Sequence, residues 1–389
     1  MRAVRGDEQR FFFSIIDQAI GADTVAQPVC KVSEDQQESS LQNRTAVALA
    51  KSLVIGAVGG VAFHVLGLPL AWMLGPLVAN LIVSASGVEL DVPVPLREAF
   101  VGVLGLVLGS QVTPQLAQRV ADWPVSAGLL LAGVVMATLA AAAWYRRCGF
   151  DPVSAWFASA PGAMTAMIVM GEQFGGDPRR IAIAQSLRIV LVILLLPPLF
   201  WALEGDAAPA AEALEPGFEA IWMLLALPPL FWLGRTLRVP SASLLLPMLF
   251  AGVLSGCDIA SLRLADWGFN LMLWVLGCAI GSRFHGLSVA TLKRYLGEAF
   301  IATLLALVVL GLFAEIIHHL VEVPRAVALL ALAPGGIGEM AIVAVALDID
   351  PVFVAFHHLL RMVALMILAP FWGRWLMAAL AKERLTKSD

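Results

Sequence analysis

The chain has 389 residues, of which 60% are hydrophobic and only 14% are charged, and its mean hydropathy is +0.85. A soluble domain carries about a quarter charged residues, so this composition excludes an ordinary water-soluble fold. The net charge of −4 offers no basic surface for nucleic acid. Apolar runs long enough to cross a bilayer recur along the chain. The sequence therefore predicts an all-α integral membrane protein.

Residues 1–45 differ from the rest of the chain because they are polar and of mixed charge. Their apolar stretch, Phe11–Ile16, is too short for the core of a signal peptide. We interpret residues 1–45 as a cytoplasmic N-terminal extension. Two alternatives stay open for it, namely a disordered segment and a start codon placed too far upstream.

Two related halves follow, 46–204 and 219–380, joined by an acidic extracytoplasmic connection at 205–218 and followed by a basic tail at 381–389. Stretches of the first half match stretches of the second at an offset of about 172 residues. Examples are Pro161-Gly162 with Pro334-Gly335, and Arg188 with Arg361. The sequence therefore predicts a tandem duplication.

Each half contains six apolar segments. The predicted segments lie near 47–66, 68–86, 97–112, 123–146, 151–176 and 180–204, and near 219–236, 238–256, 267–282, 296–319, 324–347 and 353–380. The fifth segment of each half carries Pro-Gly at its centre, with about ten residues on either side, and ten helical residues reach only about 15 Å. Because proline removes a backbone donor and glycine weakens a helix, we expect these segments to be broken or re-entrant.

The distribution of arginine and lysine favours re-entrant hairpins. If both fifth segments turn back at Pro-Gly, most basic residues fall on the cytoplasmic side, whereas full crossings move several basic clusters outside. Each half then crosses an odd number of times, so the halves are antiparallel. The predicted fold is two inverted-topology repeats with about ten transmembrane helices and two broken segments, an arrangement typical of secondary transporters.

The two Pro-Gly breaks are the first candidate site, because a break in a membrane exposes backbone groups that can bind an ion or a charged solute. A packing kink is the alternative interpretation. The residues of the breaks are Pro161, Gly162, Ala163, Pro334, Gly335 and Gly336.

Glu339 follows the second break, and Ala166 holds the matching place in the first half. An ionisable residue near the membrane centre suggests a site, here a coupling carboxylate, although a structural ion pair is also open. Arg188 and Arg361 could pair with Glu339, clamp an anion or snorkel to the membrane surface.

His357 and His358 precede Arg361 and suggest a proton relay. Adjacent residues point about 100° apart on a helix, so this pair lacks the spacing of a zinc helix. The four cysteines form no CxxC pair and no metal-ligand spacing. We expect no metal and no cofactor.

Four motifs, GLPLAWMLGPLVAN, VGVLGLVLGSQVTP, ASAPGAMTAM and LAPGGIGEMAI, resemble those of the AbrB-like bacterial membrane proteins over residues 47–380. Members of that family have been called ammonia monooxygenases, regulators of gene expression and transporters. A copper monooxygenase needs a cluster of imidazoles, whereas the six histidines here are scattered. A regulator that binds DNA directly needs a basic domain, which the sequence lacks.

We therefore expect a secondary transporter of a small, anionic solute, coupled to a proton or Na⁺ gradient, in the bacterial cytoplasmic membrane with both termini inside. The expected partners are the solute, the coupling ion and the lipid bilayer, with no nucleic acid, and a homo-oligomer stays open. The alternative is a membrane sensor that affects gene expression indirectly. A subunit of a membrane monooxygenase is a weaker third hypothesis, and we expect no enzyme activity from this chain.

Overall fold

The computed structural model describes residues 34–112, 123–204, 218–237, 239, 241–284, 289–347 and 349–386. These parts of the chain are helical and contain no strand. The helices of the first half are α1 Glu34–Val65, α2 Ala71–Ala85, α3 Val94–Gly109, α4 Trp123–Arg147, α5 Pro152–Ser159, α6 Met164–Gln173 and α7 Pro178–Glu204. Those of the second half are α8 Leu227–Thr236, α9 Ala242–Gly256, α10 Asp266–Gly281, α11 Val289–Val321, α12 Arg325–Leu332, α13 Ile337–Ala346 and α14 Pro351–Thr386.

Helix length and composition support the membrane assignment. Five stretches among the described residues are long and apolar enough to cross a bilayer. They are Asn43–Val65, Trp123–Arg147, Pro178–Phe200, Lys293–Val321 and Pro351–Leu380. The protein is therefore an all-helical membrane protein over these residues.

The start of each half departs from the predicted segments. Helix α1 already begins at Glu34, within the predicted extension, because its polar residues include glutamate and glutamine, which favour helices in water. In the second half the first segment starts as a 3₁₀ helix, Phe218–Ala226, and only then becomes α8. Pro228 and Pro229 at the start of α8 have no N–H, so the preceding turn cannot continue the α-helical pattern. Residues 1–33, 205–217 and 387–389 lie outside the described residues.

Both fifth segments are interrupted at Pro-Gly, as the sequence predicts. In the first half α5 ends at Ser159 and α6 begins at Met164. Between them Gly162 has φ 153° and Ala163 has φ 44°, which lie in the region that favours glycine. In the second half α12 ends at Leu332 and α13 begins at Ile337, with a tight turn at Pro334, where the Gly335 N–H donates to the Ala333 carbonyl, and extended backbone at Gly336.

In the first half α5 and α6 form a hairpin, named hairpin 1 below. The Gln185 side-chain amide donates to the carbonyl of Phe157 (2.7 Å), and Arg188 Nη1 donates to that of Ala160 (3.0 Å). Both contacts join residues 28 apart, so α5 and α7 run in the same direction. Helix α6, which lies between them in sequence, must therefore run in the opposite direction. The Asp177 N–H also donates to Ser154 Oγ (2.7 Å), which joins the two ends of the hairpin.

Helices α12 and α13 repeat this arrangement and are named hairpin 2. His358 Nε2 lies 3.0 Å from the carbonyl of Leu330, and Arg361 Nη1 donates to that of Ala333. These contacts again join residues 28 apart, so α12 and α14 run parallel. Helix α13 therefore turns back at the break.

Two helix pairs join the halves through close backbone contact at glycines. Helix α3 packs on α9, and α2 packs on α10. In each pair a Cβ added to the glycine would collide with the opposing carbonyl oxygen. The four contacts are Gly105 with Leu244, Gly109 with Met248, Gly277 with Met73 and Gly281 with Leu77. Residue numbers increase in the same direction along both partners, so both pairs are parallel.

Candidate functional site

A cavity of ≈ 560 Å³ lies where the tips of the two hairpins meet. Hairpin 1 contributes Gly162 and Ala163 from its break, and hairpin 2 contributes Gly335 and Gly336. The other lining residues are Arg97, Met164, Thr165, Ala166, Ser186, Arg188, Ile189, Ser241, Arg283, Ile337, Glu339, Met362 and Met366. Both halves of the chain therefore build one cavity, named the central cavity below.

A smaller cavity of ≈ 190 Å³ adjoins the central cavity, because five residues line both. The shared residues are Arg97, Ser241, Arg283, Ile337 and Glu339. Glu98 borders only the smaller cavity, and its carboxylate pairs with Arg235 at 3.2 Å. The smaller cavity is lined mainly by apolar residues of α3, α10 and hairpin 2, so the shared charged residues stand between two largely apolar spaces.

The charges around the central cavity are mainly positive. Three arginines, Arg97, Arg188 and Arg283, face a single acid, Glu339, which gives a formal net charge of +2. Glu339 Oε1 lies 3.4 Å from Arg283 Nη2, and the side chains are 14% and 28% exposed. Glu339, Glu98 and Asp91 also lie close enough to Arg97 to act on its charge, whereas Arg188 has no such carboxylate among the described residues. The arrangement suits an anionic occupant.

Arg188 combines a structural contact with access to the central cavity. Its Nη1 donates to the carbonyl of Ala160 at the end of α5, whereas its Nε has no hydrogen-bond partner among the described residues. The residue is only 5% exposed, so it does not snorkel to the membrane surface. The same atom of Arg361 also lacks a partner in the described part of the chain and both atoms are buried, so the access of Arg188 to a carboxylate or a phosphate depends on its place in the cavity lining.

Three helix N-termini border the central cavity and add to its positive potential. Ala163 and Gly336 cap α6 and α13, and Ser241 caps α9. The N-terminus of a helix carries about half a positive charge and free N–H groups, both of which favour an anion. Each hairpin break creates one of these N-termini, that of α6 in hairpin 1 and that of α13 in hairpin 2. The breaks therefore contribute to the electrostatics of the cavity as well as to its shape.

Glu339 is the third residue of α13, and its carboxylate folds back towards Gly336 at the start of the helix. A Cβ at Gly336 would collide with this carboxylate. The φ of Gly336 is −81°, so glycine is needed here for space and not for backbone conformation. A carboxylate in the first turn of a helix is stabilised by the helix dipole.

Arg361 does not border the central cavity, unlike Arg188. It is 2% exposed and donates to the carbonyls of Ala333 and Gly335 on either side of Pro334. Its Nη2 also lies 2.8 Å from Nδ1 of His358. Arg361 therefore holds the break of hairpin 2 from within the protein. The sequence analysis considered Arg188 and Arg361 as partners of Glu339, whereas in the structure Glu339 forms its ion pair with Arg283.

The two predicted proton-relay histidines are buried behind hairpin 2. His358 Nε2–H donates to the Leu330 carbonyl, which leaves Nδ1 to accept from Arg361. His357 contacts Ser126 Oγ (2.8 Å) and the carbonyl of Phe353 (2.8 Å). Neither histidine lines the central cavity.

The structure gathers six of the predicted site residues around the central cavity and leaves five outside it. Those at the cavity are Gly162, Ala163, Gly335, Gly336, Glu339 and Arg188; those outside are Pro161, Pro334, Arg361, His357 and His358. The sequence analysis assigns no site role to Arg97, Arg283 or Ser241. Arg283 directly follows Gly281-Ser282, which resembles Gly109-Ser110 in the first half at an offset of 172 residues, and that position was the available clue. Within the described ranges no group of three His, Cys, Asp or Glu side chains could hold a metal.

The sequence profile of the family described as "Transition state regulatory protein AbrB" matches residues 72–377. The chain is 24% identical over 329 residues to a protein of Escherichia coli (strain K12) named "Putative regulator AbrB", covering 82% of this chain and 93% of that one. It is also 24% identical over 352 residues to the "Uncharacterized protein YhjN" of Bacillus subtilis (strain 168), covering 83% of this chain and 92% of that one. The family match spans most of the chain, so the chain belongs to the AbrB family.

Proposed function

We propose that this AbrB-family membrane protein is a secondary transporter of a small anionic solute, driven by a proton or Na⁺ gradient. The observation that carries the proposal is the central cavity, in which the tips of two broken hairpins and three arginines surround one space. Broken helices that meet from two halves of a chain form the solute sites of many secondary transporters. The proposal assigns no chemical reaction to the cavity.

The helix directions support an inverted-topology duplication. Helix α3 is the third segment of the first half, and α9 is the second segment of the second half. Two halves of the same orientation would make these helices antiparallel, whereas they run parallel, as do α2 and α10. Leu70 and Ser241, which cap the matching helices α2 and α9, also share a left-handed backbone conformation.

The distribution of basic residues places both termini on the cytoplasmic side of the bacterial inner membrane in this proposal. Arg97 at the start of α3 and Arg283 at the end of α10 then lie at cytoplasmic helix ends. Because both line the central cavity, we infer that the described conformation is the one open to the cytoplasm. Transport requires a second conformation that is open to the other side.

We assign Glu339 as the coupling carboxylate. Its ion pair with Arg283 holds a guanidinium that would otherwise add to the attraction for the solute. Protonation of Glu339, or a Na⁺ ion bound beside it, would release Arg283 towards an anion. Solute and coupling ion would then bind together, which is the requirement for symport.

Uptake into proteoliposomes tests this proposal. We expect the protein to accumulate a labelled anionic solute when an inward proton or Na⁺ gradient is imposed, and to lose accumulation when the gradient is collapsed. In Glu339→Gln we expect exchange of solute to persist while accumulation driven by the gradient is lost. Gradient-driven accumulation by Glu339→Gln equal to that of the parent protein would remove the coupling role.

A second candidate function is a membrane sensor, which the regulatory names of the family and of the E. coli relative favour. A sensor would use the same cavity to bind a solute without moving it. Solute binding with no flux under any gradient would support the sensor and exclude the transporter.

A further inference from the structure

Four apolar residues at matching places in the two halves line the central cavity. Each half contributes one methionine and one isoleucine at matching places. Met164 follows the first break where Ile337 follows the second, and Ile189 matches Met362 in the helix after each hairpin. We name these four residues the apolar quartet. The quartet lies where the two halves meet, so an occupant of the cavity contacts both halves at once.

Hydroxyl groups hold the sulfurs of the two methionines in the quartet. Ser186 Oγ lies 3.8 Å from Met164 Sδ, and Ser241 Oγ lies 3.5 Å from Met362 Sδ. Both serines also line the central cavity. Methionine is unbranched and adapts to ligands of different shape, which suits a binding wall that must accept an apolar group.

The charges of the cavity do not share the symmetry of the quartet. The position that matches Arg97 in the second half is Phe269, and the position that matches Arg283 in the first half is Gln111. Ala166 likewise takes the place of Glu339. The cavity lining therefore combines charged groups that have no counterpart in the other half with apolar groups to which both halves contribute.

The size of the cavity points to an organic occupant. Its ≈ 560 Å³ falls within the range of sites for organic ligands, roughly 300–1,000 Å³. An inorganic oxyanion would fill a small part of it and would leave the quartet facing water, at a cost that grows with the exposed apolar area. An occupant with an anionic head and an apolar body would satisfy both the charged and the apolar groups.

We propose that the solute is an organic acid with one carboxylate and a short apolar body, held by Arg97 and Arg188 at the carboxylate and by the apolar quartet at the body. This substrate class rests on the proposed transport function and narrows it. A carboxylate is planar and matches the paired N–H groups of a guanidinium, and Arg188 lies in the lining of the cavity.

Calorimetric titration of the purified protein with a ligand series tests the substrate class. The probes are acetate, butyrate and hexanoate, with hexanamide as the uncharged control and sulfate as the inorganic control. We expect Kd to fall by up to about fourfold for each added methylene, since burial of one CH₂ contributes about 0.8 kcal/mol. Hexanamide and sulfate should bind at least tenfold more weakly than hexanoate. Sulfate binding as tight as hexanoate, or a Kd independent of chain length, would overturn the assignment.

Substitutions separate the roles of the charged and the apolar groups of the cavity. Met362→Gln keeps a similar side-chain volume, and we expect it to flatten the dependence of Kd on chain length. Arg97→Gln should weaken all three carboxylates by the same factor, at least fivefold, because it removes a charge and no apolar contact. Met377→Gln is the matched control, since Met377 is 44% exposed and lies outside the cavity, and it should bind the series like the parent protein. Equal chain-length dependence in Met362→Gln and the parent would contradict the role of the quartet.

Flux measurements with the same compounds distinguish this inference from the transport proposal. Binding of the carboxylate series without uptake would leave the ligand class intact and would remove transport. Uptake of a solute of another class, with no binding of the series, would retain transport and would refute the organic acid.

Discussion

Hairpin 1 and hairpin 2 use the same arrangement for different purposes. In each, a polar side chain of the following helix lies against a carbonyl of the first half-helix, and an arginine three residues later donates to the last carbonyl before the break. Gln185 and Arg188 do this in hairpin 1, and His358 and Arg361 do it in hairpin 2. A buried carbonyl without a donor is costly, so each break needs such a side chain.

The difference lies in what each arginine does with its remaining donors. Arg361 donates to a second carbonyl, that of Gly335, and contacts His358, so both of its terminal nitrogens have partners within the protein, whereas its Nε has none among the described residues, like that of Arg188. Arg188 makes one contact to the backbone and lines the central cavity. Two arginines at matching positions of the hairpins therefore have different surroundings: Arg361 holds the break, and Arg188 both holds a break and borders the cavity in which we propose that a solute binds.

The largest expected effect comes from removing each arginine in turn. Arg361→Ala leaves two buried carbonyls without this donor, and we expect a loss on the order of 4 kcal/mol in the free energy of unfolding. Arg188→Ala should cost roughly half as much, because Gln185 also donates to the Ala160 carbonyl, at 2.9 Å. We expect the reverse order for solute affinity: Arg188→Ala should weaken binding by the folded protein more than Arg361→Ala does.

Reversible unfolding in mixed micelles gives the stability of both variants, and equilibrium binding gives the affinity. Equal losses of stability in Arg188→Ala and Arg361→Ala would refute this difference between the two arginines. So would an unchanged solute affinity in Arg188→Ala.

A smaller effect is expected at the tip of hairpin 2. Gly336→Ala places a Cβ against the Glu339 carboxylate, which must move away from its position beside Arg283. We expect the initial rate of solute uptake to fall at least tenfold while the protein stays folded. Gly338→Ala is the matched control, because a Cβ there meets no atom within 4 Å, and its uptake should stay within twofold of the parent rate. If Gly336→Ala transports as well as Gly338→Ala, the position of Glu339 does not matter for uptake.

The smallest expected effect comes from exchanging the side chains that differ between the hairpins. In His358→Gln the glutamine amide can donate to the Leu330 carbonyl, as Gln185 donates to that of Phe157. We expect a change below about 1 kcal/mol in the free energy of unfolding. His358→Leu removes the donor and should cost more, by about 1–3 kcal/mol. A larger loss in the glutamine variant than in the leucine variant would show that the two hairpins are not equivalent.

The sequence predicted well those parts of the fold that depend on local chemistry. The predicted segments 123–146 and 267–282 agree with α4 and α10 to within about a residue, because long apolar runs end at polar or glycine-rich turns. Both breaks lie at Pro-Gly, where the missing donor and the flexible backbone act locally. The polar start of α1 was not predicted, because a high mean hydropathy identifies apolar helices and does not identify polar ones.

The central cavity could be predicted only in part. Glu339 and the two breaks were found because a charge or a Pro-Gly in an apolar segment is conspicuous. Arg97 and Arg283 lie at the ends of segments, where an arginine is ordinary, and only the packing of α3 and α10 against hairpin 2 brings them together. The choice of Arg283 over Arg361 as the partner of Glu339 likewise depends on contacts between segments far apart in sequence.

The most direct test of the central claim is the accessibility of one residue in the central cavity. Thr165→Cys, in a protein without its native cysteines, would be treated with a membrane-impermeant maleimide in vesicles of both orientations. Arg179→Cys, at an exposed position that the proposed topology places inside, reports the cytoplasmic side. We predict that Thr165→Cys is labelled from the cytoplasmic side, protected by solute, and labelled from the outer side when an opposing gradient is imposed. Labelling from neither side, or from one side under all conditions, would contradict a cavity that carries solute across the membrane.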